Sequence, residues 1–211
     1  RLKVDLLIAQ LLCSRLCHDL LGPAGAVGVG VDMLTEGADE RIDALGLLGR
    51  SAHQVIGKLA FYRVAFGLGG LREMDSPENQ ARLLISSLIN SGNVRLDWPE
   101  AEAISDLSAD ACKLLLNMAL LAHSALIRGG DLGIRIVDID GGVGLAALAI
   151  GDRARLRDEI RVAAQESLES YELTPHTVQA ALTRLLAEDM NAELEVTDTG
   201  QGEVRIAALI V

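Results

Sequence analysis

Two long helical patterns joined by a short turn fill the first 66 residues, and this arrangement limits the fold more than any other feature of the chain. Over 2–35, Ile8, Leu12, Leu16, Leu20, Pro23, Val27, Val31 and Leu34 recur at steps of mostly three and four, the spacing of one helix face. A turn at 35–39 around Gly37 leads into a second helix over 40–66. Its inner side carries Ile42, Leu45, Leu48, Ala52, Val55, Ile56, Leu59, Tyr62 and Phe66. Helices joined this closely run antiparallel. A lone two-helix hairpin buries its apolar face poorly, whereas two hairpins make a four-helix bundle. The pattern therefore predicts a homodimer.

Gly67-Leu68-Gly69-Gly70 interrupts the helical pattern, and mixed α/β periodicity follows. The expected organisation is a helical hairpin domain over 1–69 and an α/β domain over 70–211, an α+β fold. In the second part Ser76-Pro77 opens a helix reaching residue 90, with Ser76 as cap and Pro77 in the first turn. A strand is predicted at 93–98. Ser108 caps a strongly apolar helix to Arg128, ended by Gly129-Gly130. Strands at 133–139 and 143–150 flank Asp140-Gly141-Gly142 as a hairpin. Helices are expected at 153–169 and 174–189, the latter capped by Thr174, and strands at 193–197 and 203–211. Together these predict a helical layer on a mostly antiparallel sheet.

Composition narrows the function. Half of the residues are hydrophobic and only 2% aromatic, so the core is built from Leu, Ala, Val and Ile. A net charge of −11 argues against a nucleic-acid surface, which needs a basic stripe. No run of 18 uncharged apolar residues suggests a membrane span, and nothing in the sequence resembles a signal peptide. Cys13, Cys17 and Cys112 form no metal spacing and read as reduced thiols of a cytoplasmic protein. The four histidines likewise lack metal-ligand spacing.

One histidine stands out. In Leu16-Cys17-His18-Asp19-Leu20-Leu21-Gly22-Pro23 a histidine on a helix is followed by a carboxylate and, five residues on, by a proline. His18 lies two residues from Leu16, roughly 200° around the helix, and so faces away from the apolar stripe. Pro23 cannot donate to the backbone ladder and is expected to bend the helix past His18. Gly22, Gly25, Gly28 and Gly30 keep this stretch slender enough for another backbone to approach. Phosphoryl transfer mainly needs a positioned nucleophile and charge stabilisation. A histidine with its ordinary pKa of about 6.5 offers a neutral nitrogen at cellular pH. Asp19 is placed to fix the ring's tautomer, and Arg15, one turn earlier, to stabilise phosphoryl charge. Ser14, Leu21, Gly22 and Gly25 are candidate partner contacts. His53 reads as a partly buried packing residue, and His123 and His176 carry no signal of function.

The chain resembles the ChpT-like histidine phosphotransferases of alphaproteobacteria. The resemblance rests on Ser14-Arg15-Leu16-Cys17-His18-Asp19-Leu20-Leu21-Gly22-Pro23, on Tyr62-Arg63-Val64-Ala65-Phe66-Gly67, and on Leu116-Asn117-Met118-Ala119-Leu120-Leu121-Ala122. It spans essentially the whole chain. It implies a dimer laid out like a sensor histidine kinase core whose ATPase-like domain has degenerated. Such proteins take a phosphoryl group from an aspartate on a hybrid kinase's receiver domain and pass it to aspartates of response regulators. His18 is then the relay residue. No cofactor is bound by the chain, and Mg²⁺ resides on the partner receiver.

A kinase domain of this type would need an Asn on its first long helix for Mg²⁺, a D-x-G-x-G turn for adenine and a glycine-rich lid. Asn117 stands at the first position. Asp140-Gly141-Gly142-Val143-Gly144 matches the second formally, but it falls at a hairpin turn one strand too early. Ile150-Gly151-Asp152-Arg153-Ala154 occupies the expected place. Residues 153–191 contain no glycine, so the lid is missing. ATP binding is therefore not expected. The alternatives are an autophosphorylating kinase core and a non-catalytic scaffold that binds receivers.

Overall fold

The computed structural model describes residues 6–35, 41–67, 76–89, 93–99 and 107–211. Helix α1 (Leu6–Thr35) continues through Pro23 without a break, and α2 (Arg41–Ala65) returns beside it. The pairing is antiparallel: Asp19 meets Lys58 and Tyr62, while Gly30 meets Ala44 and Leu48. Gly30 is the glycine that close approach requires. A Cβ there would fall 2.7 Å from Leu48 Cγ, whereas Gly22, Gly25 and Gly28 have open space around them. The slender face expected of all four glycines is thus used inside the hairpin only at Gly30.

The second helix carries two apolar faces, not one. Ala44, Phe61, Tyr62, Val64 and Ala65 are buried. Ile42, Leu45, Ile56 and Leu59, expected on the inner side, are exposed, Ile42 by 86%. They recur at helical spacing along the side turned away from the rest of the chain. The inner face is taken instead by small and aromatic residues that allow α2 to sit close to its neighbours.

Helix α3 (Pro77–Ile89) packs on α2, where Gly57 lies against Ser87. Strand β1 (Val94–Asp97) follows, then α4 (Ala109–His123), capped by Ser108, whose Oγ accepts from Ala111 N at 3.1 Å. The helix ends five residues before the predicted Arg128. Gly129 and Gly130, at φ +89° and +136°, turn the chain into the sheet. Strands β2 (Gly130–Ile139) and β3 (Gly142–Ile150) form the predicted hairpin, with Asp140-Gly141 at its turn. Helices α5 (Asp158–Gln165) and α6 (Val178–Asp189) and strands β4 (Leu194–Asp198) and β5 (Glu203–Ile210) complete the chain. Thr174 does not cap α6. The N-cap position belongs to Thr177, and 174–177 form a separate turn.

The sheet order is β1-β2-β3-β5-β4, parallel only between β1 and β2. Ile134, Ile136, Leu145, Ala147, Ile206 and Val196 are buried on the helix-covered face, while Arg135, Val137 and Leu209 are exposed on the other. The alternation is that of an antiparallel sheet covered on one side. The fold is α+β, a helical hairpin followed by a two-layer α/β sandwich. The glycines at 69 and 70 lie outside the described residues. A single buried cluster nevertheless runs from Phe61, Tyr62, Val64 and Ala65 on α2 through α4 to the sheet.

Buried polar side chains fasten this junction. Asn117 on α4, fully buried, donates to Ala65 O at 2.8 Å and Lys113 O at 2.9 Å. Lys113 Nζ donates to Gly67 O at 2.7 Å. Ala65 closes α2 and Gly67 lies two residues beyond it, so neither carbonyl has an intrahelical donor. From α6, Gln179 Nε2 donates to Asn117 O at 3.0 Å and to Thr183 Oγ1 at 2.9 Å. Replacing Asn117 by Leu is expected to lower unfolding stability by about 1–3 kcal/mol, because buried acceptors lose their donor. The shift of the urea midpoint at fixed protein concentration measures it.

Candidate functional site

His18 stands on the exposed side of α1 with 71% of its side chain accessible, while Asp19 beside it keeps only 15%. Asp19 turns inward, towards α2. Its Oδ2 accepts from Arg15 Nε at 2.7 Å and from the Tyr62 hydroxyl at 2.8 Å. Its Oδ1 faces His18 Nδ1 at 3.3 Å. An ionised carboxylate only accepts, so the facing Nδ1 carries the ring proton. In the neutral imidazole Nε2 then holds the free lone pair. The arrangement offers an oriented, accessible nitrogen nucleophile.

Burial alone would raise the Asp19 pKa, but the hydrogen bond and charge of Arg15, with the bonds from Tyr62 and His18, outweigh it. The carboxyl is held below its ordinary value. Burial and then the Asp19 charge push the Tyr62 hydroxyl far up, so it stays protonated and donates. Arg15, expected to meet phosphoryl oxygens, is only 18% exposed on its side chain and spends its Nε on Asp19. It acts on the ring by fixing the carboxylate.

Pro23 acts through the backbone. In a regular helix the N–H of residue 23 would bond to the carbonyl of Asp19, and proline has no N–H. Lys58 Nζ fills the vacancy from α2, donating to Asp19 O at 2.9 Å. Both ends of Asp19, carboxylate and carbonyl, are thus tied to the second helix. Lys58 has a further effect: burial, and then its charge, lowers the pKa of half-buried His123.

The remaining sites expected from sequence are placed as follows. Ser14, Leu21, Gly22 and Gly25 share the exposed side of α1 with His18, and Leu21 is 69% accessible. His53 is exposed rather than packed, its Nδ1 on Gly49 O at 2.7 Å. Cys112 is buried, and burial, then the charge of Glu78, pushes its thiol up to about 12. Among the described residues no group of three or more His, Cys, Asp and Glu is placed to hold a metal ion, and no helix is long and apolar enough to cross a membrane.

Three residues of the site escaped the sequence reading. Helical periodicity places Tyr62 on the buried side, where it is, but carries no sign that its hydroxyl reaches Asp19, and it marks Lys58 with no role. Antiparallel geometry held the signal: with α1 ending at Thr35 and α2 starting at Arg41, residue 19 lies opposite residue 57, since 35 + 41 − 19 = 57. His176 is the third. Its ring lies edge-on to that of His18, centroids 5.9 Å apart and planes at 83°. No local pattern brings residue 176 to α1; only the packing of α6 against that helix does.

Residues 78–202 match the family described as the histidine phosphotransferase C-terminal domain. This chain belongs to the histidine phosphotransferase family. It is 30% identical over 195 residues to the protein phosphotransferase ChpT of Brucella abortus (strain 2308), across 92% of this chain and 91% of that protein. A solved bacterial phosphotransferase superposes with a TM-score of 0.82 at 28% identity, covering 99% of this chain and 98% of that one. The chain is a phosphotransferase enzyme of the phosphorelay class.

Two outcomes are expected at Asp19. Lys58→Met should destabilise the chain by about 1–3 kcal/mol, and less in a Pro23→Ala background, where the new N–H serves the Asp19 carbonyl. A double-mutant cycle by urea unfolding checks this. The native Asp19 pKa lies below the ordinary 3.8, so its contribution to stability is present above that value and lost as pH falls through the native one. Asp19→Asn should flatten the fall of the urea midpoint below about pH 5.

Proposed function

We propose that His18 is the phosphoacceptor, and that the chain carries a phosphoryl group from a receiver aspartate of a hybrid kinase to receiver aspartates of response regulators. The observation that carries this reading is the contrast at the helix surface: an exposed imidazole held by an almost buried carboxylate. Nε2 attacks the aspartyl phosphate in line. The N–P bond forms while the P–O bond to the receiver breaks, its electron pair leaving on the carboxylate. The Nδ1 proton stays on the ring, directed at Asp19, and the second transfer reverses the first. Asp19 orients the ring, and Arg15 neutralises Asp19. Mg²⁺ is brought by the receiver, on its own acidic site.

ATP has no part in this reading. Asn117, where a kinase domain would hold Mg²⁺, has both its amide donor and its place in the core committed to α2 and α6. Gly151, where the adenine turn would stand, is pressed against the backbone of Gly129 and Gly202. The sandwich is on this reading a degenerate ATPase-like domain.

The functional unit is a homodimer in the cytoplasm. The exposed stripe of Ile42, Leu45, Ile56 and Leu59 supports the pairing of two hairpins as a four-helix bundle. The three free cysteines support a reducing compartment. Receivers dock over His18 through Leu21, Ser14 and the open backbone at Gly22 and Gly25. Incubation with a radiolabelled phosphoreceiver is expected to place acid-labile label on the wild type and none on His18→Gln. Label taken directly from Mg·ATP would overturn the reading in favour of a kinase. No label by either route would leave a receiver-binding scaffold.

A further inference from the structure

We propose that His176 is a second contact for the phosphoryl group on His18, which makes the α/β sandwich part of the transfer centre. The inference rests on the reading of His18 as phosphoacceptor. Its ground is the ring pair: the two imidazoles stand perpendicular with centroids 5.9 Å apart. At that separation side-chain rotation brings a ring N–H of His176 to a group attached to His18 Nε2.

The placement of His176 is built into the fold. Pro175 fixes the backbone just before it. Around it Val178 N donates to Thr174 O at 2.9 Å, Thr174 N to Thr177 Oγ1 at 2.9 Å, and His176 N to Thr174 Oγ1 at 3.3 Å. Thr177 is buried, and one turn later Gln179 is bonded to Asn117. The turn is therefore anchored to the α2–α4 junction. The ring is the opposite: it is exposed, and among the described residues no hydrogen bond takes up its nitrogens.

The cations and the phenol near His18 are directed towards Asp19. Arg15 Nε and the Tyr62 hydroxyl bond to the Asp19 carboxylate, and Lys58 Nζ bonds to the Asp19 carbonyl. His176 offers an uncommitted N–H beside the accepting ring. In the transfer, the Nε2 lone pair forms the N–P bond and the receiver carboxylate leaves with the P–O electron pair. His176 donates a hydrogen bond to a phosphoryl oxygen and keeps its proton. A donor aimed at that oxygen stabilises charge that a bare exposed imidazole leaves to the partner.

The test uses the full chain and a radiolabelled phosphoreceiver, with initial transfer rates taken against receiver concentration. His176→Ala and His176→Phe are expected to lower the maximal rate about tenfold at unchanged half-saturation. His176→Gln, which keeps an N–H, should recover to within about threefold. The ³¹P resonance of the phosphorylated chain should move in the Ala and Phe variants and remain near wild type in Gln. Wild-type rates in His176→Phe would show that the ring only packs, and a change confined to half-saturation would make it a docking residue. Either result overturns the proposal. Label on His18→Gln, or none on the wild type, would instead bring down the reading of His18 on which it rests.

Discussion

A carboxylate drawn almost out of water must have its charge answered, and Asp19 shapes the site through the way it meets that demand. Burial opposes the ionised form, and Arg15 and Tyr62 overcome it by direct hydrogen bonds at 2.7 and 2.8 Å. One of these partners sits on the same helix and the other on the returning one. Satisfying the charge therefore fixes the register of the hairpin as well as the direction of the remaining oxygen, which faces the histidine ring. Pro23 adds a backbone demand at the same residue, and Lys58 answers it. Helix α2 thus orients the ring at two atoms of a single residue.

The hairpin is held in turn by the sandwich. Carbonyls at the end of α2 have no partner within their own helix, and Asn117 and Lys113 reach from α4 to supply them. Gln179 then bonds to the same Asn117 from α6. A continuous polar path runs from the end of α2 through α4 to the start of α6, inside an otherwise apolar core. That path sets the position of α6 relative to α1, and so brings the 174–177 turn alongside His18. The Asn117 amide donates to α2 and within α4 while its backbone carbonyl accepts from α6, so one residue serves three elements.

Much of this was legible in the sequence where the signal was local. Helical periodicity gave both long helices, Ser108 gave the start of α4, and Asp140-Gly141 gave the β2–β3 turn. The pairing of His18 with Asp19 was readable because both lie within one stretch of helix. Errors arose where a pattern had two solutions. Ile42, Leu45, Ile56 and Leu59 satisfy a helical stripe as well as the truly buried set does, because α2 is apolar on two sides. Periodicity cannot say which side meets its own chain. Thr174 and Thr177 are both good cap residues, and the turn between them moved the start of α6. His176 was unreadable for a deeper reason: its neighbour is 158 positions away (176 − 18), and only packing unites them.

On the proposed reading His18 must give up its phosphoryl group as readily as it takes one, and the charge around it suits that need. If Arg15 and Lys58 were aimed at the phosphoryl oxygens, the phosphorylated state would lie in a deep well and onward transfer would slow. Both cations are instead bonded to Asp19, one at its carboxylate and one at its carbonyl. Their charge positions the ring without gripping the cargo. On the proposed reading, the strong electrostatic stabilisation arrives with the receiver and its Mg²⁺, and it leaves with them. The single hydrogen bond proposed for His176 would have the right strength for such a site: enough to orient the phosphoryl group between partners, too little to trap it.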